Sequence, residues 1–275
     1  MRLTESWTIL RIPGRDLAEA RLHCHHAVQL NTRLARALVP AEEDDSHTAL
    51  NWEARHGALV GRPVADLRAG VRLSDLTLLL LAGDNQIQAS LPLDGRSFEE
   101  ALRWLGEQLR SAGLDPPHLA DPLHFELDDH PLLHNGRFQT RDREHLFEEL
   151  AGWYADAALA LSSFSETVRC WPHHFDIATV LPQVDGSIGI GMSPGDASYS
   201  LPYFYVTPWP YPSAAELPVL SAGAWHTDGW VGAVLTADEI LPAQDQREFV
   251  MHFLGASLSK LREHVGSNGL QGGPR

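Results

Sequence analysis

Apolar residues recur at helical spacing in several stretches of the chain. In residues 16–38, leucine and valine return near every third or fourth position, which predicts an amphipathic helix that ends before Pro40. The same spacing predicts three further helices, over residues 98–111, 141–162 and 243–264. Ser97 and Glu100 have the spacing of a capping box, which supports the start of the second helix.

Other stretches have the pattern of strands. An apolar run at 75–82 followed by alternating residues at 86–91 predicts a hairpin. Residues 51–67, with two glycines and a proline, are predicted to be irregular. Beyond residue 168 the pattern changes, and strands are predicted at 170–171, 175–181, 187–192, 203–207, 224–227 and 230–235.

This order of elements predicts an α+β fold, with a mostly antiparallel sheet packed against several long helices. The 275 residues fit one domain over 1–266, with a helix-rich half at 1–166 and a strand-rich half at 167–266. Residues 267–275 are predicted to be a flexible tail. No internal repeat of fixed period is visible.

Composition narrows the expected partners. The net charge of −15 argues against nucleic acid and anionic membranes as partners, since both require clustered Lys and Arg. Two cysteines and no apolar segment long enough for a signal peptide or a membrane span favour a cytoplasmic location. A small molecule is the expected partner, and nothing in the sequence specifies an oligomeric state.

Three motifs carry a resemblance to a known family. They are F-D-I-A at 175–178, P-Y-F-Y-V-T-P-W-P-Y-P at 202–212 and G-x-W-H-x-x-G-W at 223–230. With the order of elements, the chain resembles a family of uncharacterised bacterial proteins that is classed only as a domain of unknown function. The resemblance implies a fold and no activity. The family pattern matches Asp176 but has W-G-S in place of the residues that end with His174.

The first functional hypothesis is a metal-dependent enzyme. His174 and Asp176 form H-x-D, and residues two apart on a strand point to the same face, so both can reach one ion. His226 is the candidate third ligand. Two histidines and a carboxylate suit Fe(II) or Zn²⁺, and the open positions would activate O₂ or water. The competing interpretation is a polar strand face without metal.

The alternative hypothesis is a small-molecule-binding module without catalysis. Aromatic side chains with polar tips can pack a ligand and also hydrogen-bond it. The prolines at 208–212 suit a sheet edge or a rim rather than a central strand. Burial in the core is the competing interpretation of these rings. The candidate ligand-binding residues are Trp171, His173, Tyr203, Tyr205, Trp209, Trp225 and Trp230, with Tyr199 and Tyr211 as further aromatic surface.

Two other histidine groups are metal candidates of lower rank. His23 and His26 lie three apart on the first helix and share a face, and the segment 124–134 crowds His, Glu and Asp. For both, the favoured interpretation is structural: surface or groove histidines on the helix, and a solvated connection at 124–134. The chain has no dinucleotide fingerprint, P-loop, G-x-S-x-G or H-E-x-x-H motif, so no catalytic residue is assigned.

Overall fold

Helices and antiparallel sheets make up the fold, and the predicted α+β class is confirmed. The computed structural model describes residues 6–11 and 16–268. The helices are α1 (Asp16–Leu38), α2 (Phe98–Ser111), α3 (Glu144–Leu161), α4 (Ala237–Ile240) and α5 (Gln246–Asn268). Three of them are long and α4 is a single turn. Residues 267–268 of the predicted tail belong to α5, and residues 269–275 lie outside the described residues.

The strands form two antiparallel sheets rather than one. The first sheet has the order β1-β2-β3-β4-β5 and the second has the order β10-β11-β9-β8-β7-β6. The strands are β1 (Asn51–Glu53), β2 (Ala58–Val60), β3 (Leu67–Arg72), β4 (Thr77–Ala82), β5 (Ile87–Pro92), β6 (Arg169–Trp171), β7 (Asp176–Gln183), β8 (Gly186–Ser193), β9 (Tyr203–Trp209), β10 (Ala224–His226) and β11 (Gly232–Thr236).

The prediction that residues 51–67 are irregular is wrong. They contain β1, β2 and the first residue of β3. A three-residue strand offers too few positions for an alternating pattern, and β2 is buried along its whole length. Gly57 makes the turn between β1 and β2 with φ +58°, so the glycine marks a hairpin rather than a loop.

The two halves of the chain have a similar order of elements: a long helix, an antiparallel sheet, and then one helix in the first half and two in the second. The edge strands β1 and β6 meet where Leu50 and Cys170 exchange two backbone hydrogen bonds of 2.9 and 2.8 Å. Helices α1 and α3 pack against each other. One cluster of buried apolar side chains contains Leu30 of α1, Trp153 of α3 and Phe204 of β9. The two halves therefore share a core.

Candidate functional site

The face of the second sheet that points away from the helices carries the candidate site. Helices α3 and α5 pack against this sheet, and the ring of Phe204 in β9 contacts Trp153 of α3 with ring centroids 6.3 Å apart. Because side chains alternate along a strand, Tyr203, Tyr205 and Thr207 point to the opposite face. The neighbouring strands pair Gly191 and Val234 with Tyr205.

Two glycines leave room for the aromatic rings on this face. A Cβ atom at Gly191 would overlap the Tyr205 hydroxyl group, and a Cβ atom at Gly232 would overlap the Trp230 ring. Without side chains at these positions, the rings of Tyr205 and Trp230 can lie against the sheet. The glycines therefore shape the site although they contribute no chemistry to it.

The rings and several polar groups enclose a cavity of about 370 Å³. This volume lies within the range of small-molecule sites. The rings of Tyr203, Tyr205 and Trp230 have centroids 6.2 to 6.4 Å apart. The residues that line the cavity are His174, Asp176, Ser193, Asp196, Tyr203, Tyr205, Thr207, Tyr211 and Trp230.

Asp176 is the half-buried carboxylate of this cavity. It is the first residue of β7, opposite Trp171 in β6, and its Oδ2 accepts a hydrogen bond from the Tyr205 hydroxyl group. Burial raises the pKa of Asp176 above its ordinary value, and the Tyr205 hydrogen bond and nearby His174 oppose part of that rise. The cavity therefore holds a carboxylate whose charged form is incompletely solvated.

Asp196 provides a second carboxylate, in the loop after β8. Its Oδ1 accepts backbone N–H groups of Ser198 and Tyr199 at 2.8 and 2.9 Å. Its Oδ2 accepts the Tyr203 hydroxyl group at 2.6 Å. Asp196 is exposed, so these bonds fix the loop and the Tyr203 ring at the edge of the cavity.

The prediction that His174 and Asp176 lie two apart on one strand is wrong. Residues 172–175 form a turn, and Phe175 has a left-handed backbone with φ +57°. His174 thus precedes the strand and is exposed, while Phe175 is buried. Both His174 and Asp176 nevertheless line the cavity. The turn, rather than strand alternation, brings them together.

His226 does not join them. Its Nε2 lies 2.7 Å from the carbonyl oxygen of Asp228, which can only accept, so Nε2 donates. Its Nδ1 then accepts from the Tyr199 hydroxyl group at 3.1 Å. The His226 ring packs on Trp230 with centroids 4.4 Å apart. Both ring nitrogens of His226 therefore have hydrogen-bond partners, and the ring supports Trp230 beside the cavity. The predicted metal at His174, Asp176 and His226 stays a prediction.

The predicted ligand-binding residues are divided by the structure. Tyr203, Tyr205 and Trp230 line the cavity, as does Tyr211. Trp225 packs against the core and donates Nε1–H to the carbonyl of Pro218 at 2.7 Å. The predicted residues outside the cavity lining are Trp171, His173, Trp209 and Trp225, together with Tyr199 of the further aromatic surface.

Sequence reasoning missed three lining residues: Ser193, Asp196 and Thr207. Thr207 lies two residues after Tyr205 on β9, and Ser193 pairs with Tyr203 across the ladder, so strand alternation could have indicated both. Asp196 lies in a loop whose shape no alternation pattern predicts.

A second polar group lies at α1. Glu19, His23 and His130 have ligand atoms within 4.8 Å of one another, so they can hold a metal ion. Within the described residues, no other set of three His, Cys, Asp or Glu residues meets this distance. Oε1 of Glu19 lies 3.6 Å from Nε2 of His23 and 3.3 Å from Nε2 of His130. His26 stacks on His130 with centroids 5.2 Å apart.

Burial keeps the helix histidines neutral. It lowers the pKa of His23 to about 4 and that of His26 to about 3, and the neighbouring His130 adds to both shifts. A surface position is therefore wrong for both histidines, which are 2% and 3% exposed, while their structural role stays a prediction. From the 124–134 segment, His130 reaches this buried group, whereas His134 is exposed and pairs with Asp129.

Comparisons of the chain with models of protein families, with curated proteins and with solved structures found no match. No helix within the described residues combines the length and apolar character that crossing a membrane requires. The features that bear on function are therefore the geometry of the cavity and that of the histidine group.

Proposed function

We propose that this protein binds a small organic molecule in the cavity on the open face of its second sheet. The observation that carries the proposal is a 370 Å³ cavity in which aromatic rings surround the half-buried carboxylate of Asp176. Aromatic walls with a few fixed polar groups are the usual lining of small-molecule sites. Tyr203 and Tyr205 supply apolar surface, and their hydroxyl groups hold the two carboxylates in place.

Binding without catalysis is favoured over metal chemistry at this cavity. His226 uses both ring nitrogens in hydrogen bonds to Tyr199 and Asp228. Within the described residues, no third His, Cys, Asp or Glu lies close enough to complete a set with His174 and Asp176, and a catalytic zinc or facial iron site takes three ligands from the protein.

The test is a fragment screen by ligand-observed NMR on the wild type and two glycine variants. Gly191→Ala forces the Tyr205 ring to move, whereas Gly255→Ala on α5 adds a Cβ atom that meets no other atom within 4 Å. We expect fragments to bind the wild type and Gly255→Ala, with affinity lost in Gly191→Ala. Thermal melting confirms that each variant is folded. Absence of hits, or equal binding by Gly191→Ala, would contradict the proposal.

A second candidate function is divalent metal binding by Glu19, His23 and His130. In a tetrahedral zinc site with bonds of about 2.0–2.1 Å, ligand atoms lie roughly 3.3 Å apart. The two distances from Glu19 to the histidines, 3.3 and 3.6 Å, are close to that value. Zn²⁺ is the first candidate, and Fe(II) accepts the same ligand types.

The proton on His130 opposes this second candidate. The backbone N–H of Leu132 donates to Nδ1 of His130 at 3.3 Å, so the neutral ring carries its proton on Nε2, facing Glu19. A metal ligand normally donates its other ring N–H instead. Metal binding therefore requires the loss of that proton and of the Leu132 contact, which places this function second.

Calorimetric titration with Zn²⁺, and with Fe²⁺ under anaerobic conditions, tests the second candidate. A site at this position predicts stoichiometric uptake that His23→Ala abolishes. The exposed His134 provides the matched control, and His134→Ala should bind as the wild type does. No uptake, or unchanged uptake by His23→Ala, would exclude the site.

A further inference from the structure

We infer that the ligand of this cavity is a small organic cation, with an ammonium group held between the Asp176 carboxylate and the aromatic rings. This inference rests on the proposed function. It concerns the charge of the ligand, which three independent features of the cavity specify.

The first feature is the charge of the lining. Asp176 and Asp196 both line the cavity, and among the residues that the structure describes the lining contains no Lys or Arg. The group that hydrogen-bonds Asp176 is the Tyr205 hydroxyl, a neutral donor. Among the described lining residues, His174 is the side chain that can become positively charged, and it is exposed to solvent. An anionic ligand would be repelled by both carboxylates, whereas a cationic ligand would give them a counter-charge.

The second feature is the burial of Asp176. A half-buried carboxylate has lost part of its hydration, and the hydrogen bond from Tyr205 replaces that hydration only in part. Burial raises the pKa of this carboxyl group. A bound cation favours the ionised form, so cation binding offsets part of the free-energy cost of burying the carboxylate.

The third feature is the set of ring faces. Tyr203 and Trp230 lie with their planes at 23°, and the Tyr205 ring stands at 76° to Trp230. The planes of the three rings thus have different orientations around one cavity. The faces of Tyr and Trp rings attract cations, most strongly where water is excluded. The net charge of −15 also favours the approach of cations over anions.

Matched pairs of cationic and neutral compounds test this inference on the full chain. Choline is compared with its neutral isostere 3,3-dimethylbutan-1-ol, and n-butylamine with 1-butanol, by calorimetry and by tryptophan fluorescence. We expect each cation to bind about tenfold or more tightly than its neutral partner, since ion pairing and cation–π contact each favour the charge.

Aspartate-to-asparagine variants, which remove one negative charge each, show which carboxylate causes the preference for cations. Asp176→Asn keeps an acceptor for Tyr205 and removes the charge, so it should weaken the cations about tenfold and bring their affinity close to that of their neutral partners. Asp185→Asn changes the net charge equally at an exposed turn outside the cavity lining and should have no effect.

The outcomes separate the two claims. Neutral compounds that bind as tightly as the cations, with no effect of Asp176→Asn, would overturn the cation inference and leave small-molecule binding intact. Failure of all four compounds, together with an empty fragment screen, would overturn both. Selective binding of the cations that is lost in Asp176→Asn supports both.

Discussion

At the scale of single residues, Asp156 should make stability depend on pH. It lies on α3 with 1% exposure and accepts the backbone N–H of Thr8 at 2.8 Å. Burial raises its pKa from 3.8 to about 7. The unfolded state ionises first, so stability falls as the pH rises from about 4 to 7, by about 4 kcal/mol. Asp156→Asn should remove this loss, as measured by urea unfolding across that range.

Asp245→Asn is the control for this experiment, because Asp245 is exposed and instead accepts the N–H of Glu248 at the start of α5. It should keep the pH dependence of the wild type. A wild-type pH profile that Asp156→Asn does not change would show that burial of this carboxyl group is not the cause.

Residue identity predicted part of the candidate site. Tyr203, Tyr205 and Trp230 were expected to line a pocket, and Asp176 was singled out beside His174. The prediction that His174 and Asp176 share a strand face failed because it required a regular strand at Phe175, where the backbone is left-handed. A non-glycine residue in that conformation is rare, and its side-chain type gives no warning.

At the scale of elements, α1 should make the protein sensitive to acid. The pKa of His26 is lowered from 6.5 to about 3 by burial and by neighbouring histidines, chiefly His130. The unfolded chain binds a proton first as the pH falls below 6.5, so stability is full above that value and is lost below it. Between pH 6.5 and pH 4, the free energy of unfolding of His26→Gln should fall by about 3 kcal/mol less than that of the wild type.

The control is His134→Gln, since His134 is exposed on the short helix Pro131–His134. Its stability should follow the wild type at every pH, as measured by chemical unfolding between pH 4 and 7.5. Equal slopes for His26→Gln and the wild type would contradict a buried neutral His26.

Elements with several turns or a capping signal were predictable, as were the short strands β6 and β10, whereas β1 and β2 were not. The capping box of Ser97 and Glu100 is present at α2, and α1 has its predicted bounds. The strands β1 and β2 were missed because their stability comes from pairing with β3, a contact that a local pattern does not contain.

At the scale of the whole molecule, the shared core predicts one cooperative unfolding transition. The buried cluster joins Leu30 of the first half to Phe204 of the second, and Leu50 pairs with Cys170 between the sheets. Leu30→Ala and Phe204→Ala should each cost about 2–5 kcal/mol. Each should lower a single calorimetric midpoint by roughly 5–10 °C.

The control for this pair is Val184→Ala, because Val184 is 99% exposed in the β7–β8 turn. It should leave the midpoint unchanged. Two transitions, of which each core variant lowers only one, would show that the halves unfold independently.

The contact between the two halves of the chain could not be predicted from the sequence. It depends on the meeting of two sheet edges about 120 residues apart in the chain, at Leu50 and Cys170. The similar order of elements in the two halves was also not predicted, because it is not accompanied by a sequence repeat of fixed period. Both features arise from long-range packing, which local spacing does not encode.

The most direct test of small-molecule binding is fluorine NMR of protein that carries 5-fluorotryptophan. Trp230 lines the cavity, whereas Trp104 lies on α2 and serves as an internal control. Titration with choline and with fragment hits should shift the Trp230 resonance in a saturable way and leave Trp104 unchanged. Ligands that bind without moving the Trp230 resonance, or the absence of any compound that moves it, would contradict the assignment of the cavity as the binding site.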